Sequence, residues 1–409
     1  MNRPKNQTRK KRGPLVVGID IHPDIFCACL MTGKTNSEAA IFKRYNDIPI
    51  DQLERWAKKA LDQGDLCLIE ASANTFEAVR RLEALGIHAH VLESHQTSLT
   101  AASYLDNDIV AAERIARSYL TGLAKIVWVP DEKTSERRQL LHAYRSAKKN
   151  QTQAKNRLVG FLNELHIRLE KRDPLASETQ QWLEEQRGWS HRQKALLSHR
   201  LRELEFATGN VQALFEAIRA EVLAEPLMRG CLRLGGVAEI TAFAIVATVG
   251  DIHRFASPEK LVNYLGLNPG RKQSGKGKDI GIGIGRRGRK DMRSILIQGA
   301  QSVMNKKAGD PLRDWGWSLH LRKGNRNVAV AAVARKLVMQ LWHLLKGNAV
   351  TREEQRQPMR RKISAMIRGL SPELRQALDL PAKTKDGVEK ILAEIESTSK
   401  NTHLQPKTI

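Results

Sequence analysis

PLVVGID (residues 14–20), IFCACLM (25–31) and EAAIFKRY (38–45) are three short apolar runs, separated by the turn-prone segments His22-Pro23-Asp24 and Gly33-Lys34-Thr35-Asn36. Runs of this length with such breaks predict an antiparallel meander of strands. Helical periodicity follows over about Ile50 to Leu61 and about Thr75 to Leu85, with buried strands at Leu66 to Glu70 and His88 to Leu92. A further helix runs from about Ile109 to Leu120. Residues 14–130 therefore read as one α/β domain, in the order β-β-β-α-β-α-β and then α.

Outward from this core, MNRPKNQTRKKRG (1–13) has no apolar period and reads as a basic arm. After Val129-Pro130 the pattern becomes a long helix, with Thr134 or Ser135 as the expected N-cap. Leu140, Tyr144, Ala147, Gln151, Ala154, Leu158, Phe161 and Leu165 recur at alternating spacings of four and three, which is a coiled-coil seam weakened by its alanines and glutamine. Arg145, Lys148, Lys149, Lys155 and Arg157 lie off that seam. Residues 131–227 are expected to form a helical or coiled-coil spacer, an arrangement that often dimerises.

The next region, 228–350, opens with LGGVAEITAFAIVATVG (234–250), similar to the hairpin of a helix-hairpin-helix module, although Ala238 stands where a second turn glycine is usual. A polar loop, RKQSGKGKD (271–279), and GIGIG (281–285) follow and read as flexible backbone near phosphates. The helix NVAVAAVARKLVMQLWHLLKG (327–347) closes the domain. Residues 351–409 read as a basic, partly helical tail with a disordered end, STSKNTHLQPKTI.

Charge narrows the function. With 68 Lys and Arg against 44 Asp and Glu, the formal net charge is +24, which suits a polyphosphate partner. No uninterrupted apolar run of about 18 residues and no signal-like segment is present, so a cytoplasmic or nucleoid-associated protein is expected. Cys27, Cys29, Cys67 and Cys231 lie in apolar runs without zinc-ligand spacing and read as buried thiols of a reducing compartment.

Phosphodiester chemistry with metal ions needs carboxylates that converge, because paired divalent ions share oxygen ligands. Asp20 and Glu70 each end a strand, and would meet at one sheet edge if those strands are neighbours. Asp108 opens the following helix, where aspartate is also a common N-cap. Position 111, one turn on, is alanine. Asp106 and Glu113 stand at non-helical spacings from Asp108. A second constellation surrounds Ser274, a serine beside glycine among Arg271, Lys272, Lys276 and Lys278, whose cations would stabilise charge developing on phosphate oxygens. Neither GIGIG nor GKGK has the frame of a dinucleotide or P-loop motif. Trp315 and Trp317 are candidates for base stacking or for the core.

The strand and helix order resembles the ribonuclease H and RuvC nuclease folds. VVGID, LIEAS, the helix start at Asp108, GLAKIVWVPD (122–131) and the block GDIHRFASPEKLVNYLGLNPGRKQSGKGKDIGIGIGRRGRKDMR (250–293) together resemble transposases of the insertion sequence 110/1111 group. That resemblance implies an α/β plus α architecture: a RuvC/ribonuclease H-like N-terminal domain, a coiled-coil spacer and a mainly helical C-terminal transposase domain. It also implies an Asp-Glu-Asp-Asp metal site for Mg2+ with Asp20, Glu70 and Asp108 as ligands, the fourth position falling on Ala111, and Ser274 as nucleophile. Arg271, Lys272, Lys276, Lys278, Arg286, Arg287, Lys148 and Lys149 are then expected to bind nucleic acid. Partners implied are donor and target DNA, a structured non-coding guide RNA, and further copies of the chain as a homodimer or homotetramer with a composite active site. A junction nuclease using water, or a non-catalytic nucleic-acid-binding descendant, are the alternatives.

Overall fold

The computed structural model describes residues 13–72, 74–94, 108–186, 188–272, 280–285, 288–307, 309–347 and 356–402. The chain divides into two compact units, 1–131 and 132–409.

The first unit is built on a mixed six-stranded sheet in the order β3-β2-β1-β4-β5-β6. Its strands are β1 (Val16–Ile21), β2 (Ile25–Thr32), β3 (Ala40–Pro49), β4 (Leu66–Glu70), β5 (His88–Leu92) and β6 (Ile126–Val127). The meander is antiparallel, β4 and β5 run parallel to β1, and β6 closes the far edge antiparallel to β5. The central strands are almost wholly apolar because both faces of the sheet are covered. On one face Val17, Ile19, Cys67, Ile69 and Val91 pack with Leu53 and Trp56 of α1 (Leu53–Ala60) and Val79 and Leu82 of α2 (Thr75–Glu83). On the other lies α3 (Asp108–Leu120), whose Ile115 packs with Leu68 and Leu92 and whose Ala112 and Ala116 pack with Cys27, Cys29 and Met31. Trp56 also makes edge contacts with Phe26 and Tyr45, at ring separations of 5.0 and 5.6 Å, which fasten the exposed strand β3.

The expected strands and helices of this unit form within a few residues of their predicted bounds, and a mixed α/β sheet is what the sequence led us to expect. Strand β6 was not anticipated. Two residues carry no readable period, and Ile126–Val127 pairs because β5 offers an open edge.

The second unit begins with α4 (Glu132–Glu164), α5 (Ser177–Glu185) and α6 (His191–Ala224). Because α4 starts at Glu132, Thr134 and Ser135 lie inside its first turn and not at its cap. Helices α4 and α6 run antiparallel: Tyr144 meets Phe215 at 5.8 Å, Gln151 Nε2 donates to Thr208 Oγ1 at 3.0 Å, and Arg157 pairs with Glu203. The polar residue in the seam is thus satisfied within the chain. Ala154 and Leu158 pack with Leu197, Leu204 and Ala207, and Trp189 closes that cluster.

Towards the other end, Leu141, Ile218, Val222 and Leu223 enter a larger core. It is formed with α7 (Pro226–Cys231), α8 (Glu239–Val249), α9 (Pro258–Tyr264), α10 (Lys290–Met304), α11 (Pro311–Lys323) and α12 (Arg326–Leu345). Helix α8 is buried from Thr241 to Val249, and Arg138 receives its end by donating to the carbonyls of Ala247 and Thr248 at 3.0 and 2.8 Å. Helix α12 is long and apolar enough to cross a membrane by composition, yet Val333, Ala334, Leu337, Val338 and Leu341 are buried in this core.

Two further elements depart from the sequence reading. The segment 281–285 is no flexible loop, because β7 (Pro269–Lys272) pairs antiparallel with β8 (Ile280–Ile284). Isoleucine at 280, 282 and 284 alternates with glycine, and that is strand period. The basic segment after 355 supplies α13 (Arg356–Arg368), α14 (Pro372–Ala377) and α15 (Thr384–Thr402). Met359, Ile363, Met366, Ile367, Val388, Ile391 and Leu392 join the same core, an amphipathic pattern masked by the surrounding charge.

Candidate functional site

β1 and β4 are adjacent and parallel, in a register that pairs Ile19 with Ile69. Asp20 and Glu70 are the next residues of the two strands. Alternation puts both on the face covered by α3, since Val17, Ile19, Cys67 and Ile69 fill the opposite face. The two carboxylates expected at one sheet edge therefore stand there side by side, each half-buried. His22 Nε2 lies 3.5 Å from Asp20 Oδ2. The turn after β4 fixes the neighbourhood: Thr75 Oγ1 donates to the Glu70 carbonyl at 2.7 Å, and Asn74 Nδ2 donates to the His22 carbonyl at 3.0 Å. Sequence reasoning passed over His22 and Asn74, which form a tie between the two strand ends.

Asp108 begins α3, whose side chain at that position is outside the description, and Asp106 lies outside the described residues. Tyr119 and Ile115 pack over Leu66 and Leu68, so the stripe one turn further back along α3 brings Ala111 towards Glu70. Glu113 is committed elsewhere. Burial pushes its carboxyl up, but hydrogen bonds from Arg117 at 2.7 Å and from Arg44 outweigh this and hold it below the usual range. Among the described residues no three His, Cys, Asp or Glu side chains converge as a metal site.

The second constellation is carried by the β7–β8 hairpin. Arg271 pairs with Gly281 and Lys272 with Ile280, so the two strands bracket the segment that contains Ser274. Ser274, Lys276 and Lys278, like Arg286 and Arg287, lie outside the described residues. The base of the hairpin is closely built. A Cβ on Gly288 (φ +82°) would come within 2.6 Å of Gly266 Cα, and Arg293 donates to the Gly285 carbonyl. Arg289 grips Asp291 through two bonds, at 2.9 and 2.8 Å. Burial raises the Tyr264 hydroxyl, yet Arg254 and Arg289 beside it bring its pKa below the ordinary tyrosine value. This arginine-rich base was not singled out from the sequence, because its residues are spread over 254–293.

Lys148 and Lys149 are exposed on α4. Trp315 and Trp317 both pack against the large core, Trp317 donating to the Met304 carbonyl at 2.9 Å, so neither is a free stacking platform. All four cysteines are buried, and burial pushes the Cys231 thiol up to about 12.

Residues 231–313, which contain the hairpin and its base, match the model of the Transposase IS116/IS110/IS902 family. Over a longer span the chain is similar to the transposase for insertion sequence element IS1111A of Coxiella burnetii, 25% identical across 83% of this chain and 92% of that protein. The chain is thus similar to transposases of the insertion sequence 110/1111 group. The transposase for insertion sequence element IS1328 of Yersinia enterocolitica is 25% identical over 80% of this chain and 95% of its own. A probable family 20 transposase of Pseudomonas aeruginosa is 30% identical over 35% of this chain and 42% of its own. The block 250–293, quoted above among the segments that carry the resemblance, falls inside the segment matched by this family model.

Proposed function

We propose that the chain is the recombinase of an insertion sequence, cutting and rejoining DNA through Ser274 under the direction of a structured non-coding RNA that pairs with donor and target strands. One observation carries the reading: the hairpin whose strands bracket Ser274 lies within the block matched to the transposase family. The strand order β3-β2-β1-β4-β5, with a helix across β1, further supports a RuvC-like first unit.

Ser274 Oγ attacks a DNA phosphorus while the bond from phosphorus to the departing deoxyribose oxygen breaks, that oxygen leaving as a hydroxyl with the serine's proton. The phosphoserine is then attacked by the hydroxyl of the new strand, which restores Ser274 and one phosphodiester. Bond types are conserved, so no external energy source is needed. Arg271, Lys272, Lys276 and Lys278 stabilise the charge on the non-bridging oxygens, and Lys149, Arg286 and Arg287 hold the backbone.

The donor set at the sheet edge fits a hard divalent cation, since Asp20 and Glu70 are oxygen ligands on adjacent strands. Asp20, Glu70 and Asp108 would hold Mg2+, which when bound supplies charge neutralisation at phosphate. His22 lies beside Asp20, and Thr75 fixes the backbone of Glu70.

The test is a reaction of purified protein with the RNA flanking its gene and DNA carrying the element ends. Joined product is expected from the wild type and is lost in Ser274→Ala and in Glu70→Gln. Hydrolysed ends without joined product would instead mark a nuclease that uses water.

A further inference from the structure

A cleft of about 1180 Å³ opens in the second unit in front of the turn that joins α7 to α8. Its charged lining is Arg145 and Lys148 of α4, Arg233 of the turn, Lys306 after α10 and Lys362 of α13, against one carboxylate, Asp310. Such a surplus of cations around a concave wall selects a polyanion.

The turn itself is rigidly seated. Gly236 has φ +76°, and a Cβ there would lie 2.4 Å from the Gly299 carbonyl oxygen, so only glycine allows the turn to rest on α10. From the other side Lys362 Nζ donates to the carbonyls of Leu232, Leu234 and Val237, at 2.6, 3.1 and 2.7 Å. Three carbonyls converging on one positive charge is the coordination a turn would offer a monovalent metal ion; here the chain provides the charge. Burial lowers Lys362 to about 8, with Lys306 adding to the shift and Glu239 opposing it, so the ammonium persists at neutral pH. Gly235, Gly236, Val237 and Ala238 form the cleft wall, and α8 starts from Ala238 with no side-chain cap, which leaves first-turn N–H groups for a ligand. Lys306 Nζ lies against Gly235, where a Cβ would come within 2.2 Å of it, and pairs with Asp310 at 2.6 Å.

We propose that this cleft is a second nucleic-acid site, separate from the Ser274 loop, which takes a phosphate of a sugar-phosphate backbone against the turn, with Lys362 as an internal cation in the place of a metal ion and Lys306 and Lys148 as direct contacts. The inference rests on the recombinase reading only for the class of ligand. Its test measures binding and not strand transfer, so the two can fail separately.

The experiment is a fluorescence-anisotropy titration of the full chain with a short DNA duplex, and in a parallel arm a single-stranded RNA, across a range of salt. Lys306→Ala and Lys148→Ala are each expected to weaken binding about three- to tenfold and to flatten the salt slope by roughly one unit. Lys194→Ala, an exposed charge on α6 outside the cleft, serves as the matched control. Loss in one arm alone identifies DNA or RNA as the occupant, and loss in both identifies the shared backbone. Lys362→Ala is expected to weaken binding at least tenfold and to recover in part when potassium replaces a bulky organic cation at fixed ionic strength. If Lys362→Ala does not fold, the two surface variants decide the matter. Losses no larger than that of Lys194→Ala would overturn the proposal.

Discussion

Gly18 of β1 and Ala112 of α3 meet backbone to backbone: a Cβ on Gly18 would stand 1.9 Å from the Ala112 carbonyl oxygen and 2.8 Å from the Ala116 nitrogen. This approach seats α3 directly on the sheet, and its first turn therefore lies over the ends of β1 and β4, where Asp20 and Glu70 stand. The closeness of α3 to the sheet is thus set by a glycine two residues before Asp20.

Gly18→Ala is expected to force α3 off the sheet. The clash is with backbone and cannot be relieved by a rotamer change, so the cost is at least ~1–3 kcal/mol, the range for overpacked cores. Urea unfolding followed together with hydrogen exchange of the β1 and β4 amides measures it. Unchanged protection would show that α3 is not held in this way.

Ala111→Asp adds a carboxylate to the α3 stripe that leads to Glu70. The variant is expected to bind Mg2+ several-fold more tightly than the wild type, read as a larger rise in melting temperature at a given Mg2+ concentration. An identical Mg2+ response in both chains would place the stripe away from the metal.

Asp291 gives a pH signature in the second unit. Burial pushes its carboxyl up, but the two bonds from Arg289, with help from Arg145, dominate and bring it down to about 2. The unfolded carboxyl titrates near ~3.9, so the native state holds fewer protons between these values. The stabilisation is complete above about pH 4 and is lost as pH falls towards 2. Asp291→Asn should melt below the wild type at neutral pH, with the gap closing over that acid window. A gap that stays constant down to pH 2 would mean that the charge of Asp291 is not what stabilises α10.

The sheet was legible because its strands are buried on both faces and broken by unambiguous turns, and Asp20 and Glu70 could be paired once β1 and β4 were supposed to be neighbours. What escaped the sequence depends on tertiary context. Residues 126–127 form a strand only because β5 leaves an edge open. Met359 and Ile363 looked like part of a basic tail, because their apolar stripe is interleaved with arginine and lysine and is covered only in the folded chain, by α15 and α6. Lys362 could not be told from its neighbours Arg360 and Arg361 by composition; only the three carbonyls of the α7–α8 turn single it out. The seam polarity at Gln151, which reads as a weakness in one helix, is answered by Thr208 on the returning one.

The most direct measurement of the serine mechanism is to denature the protein during reaction with labelled DNA and its RNA, and to look for label attached to the chain. The wild type should carry DNA on Ser274, identified by peptide mapping, and Ser274→Ala should carry none while still binding the same DNA. An adduct that persists in Ser274→Ala, or joined product from a wild type that never carries DNA, would contradict it.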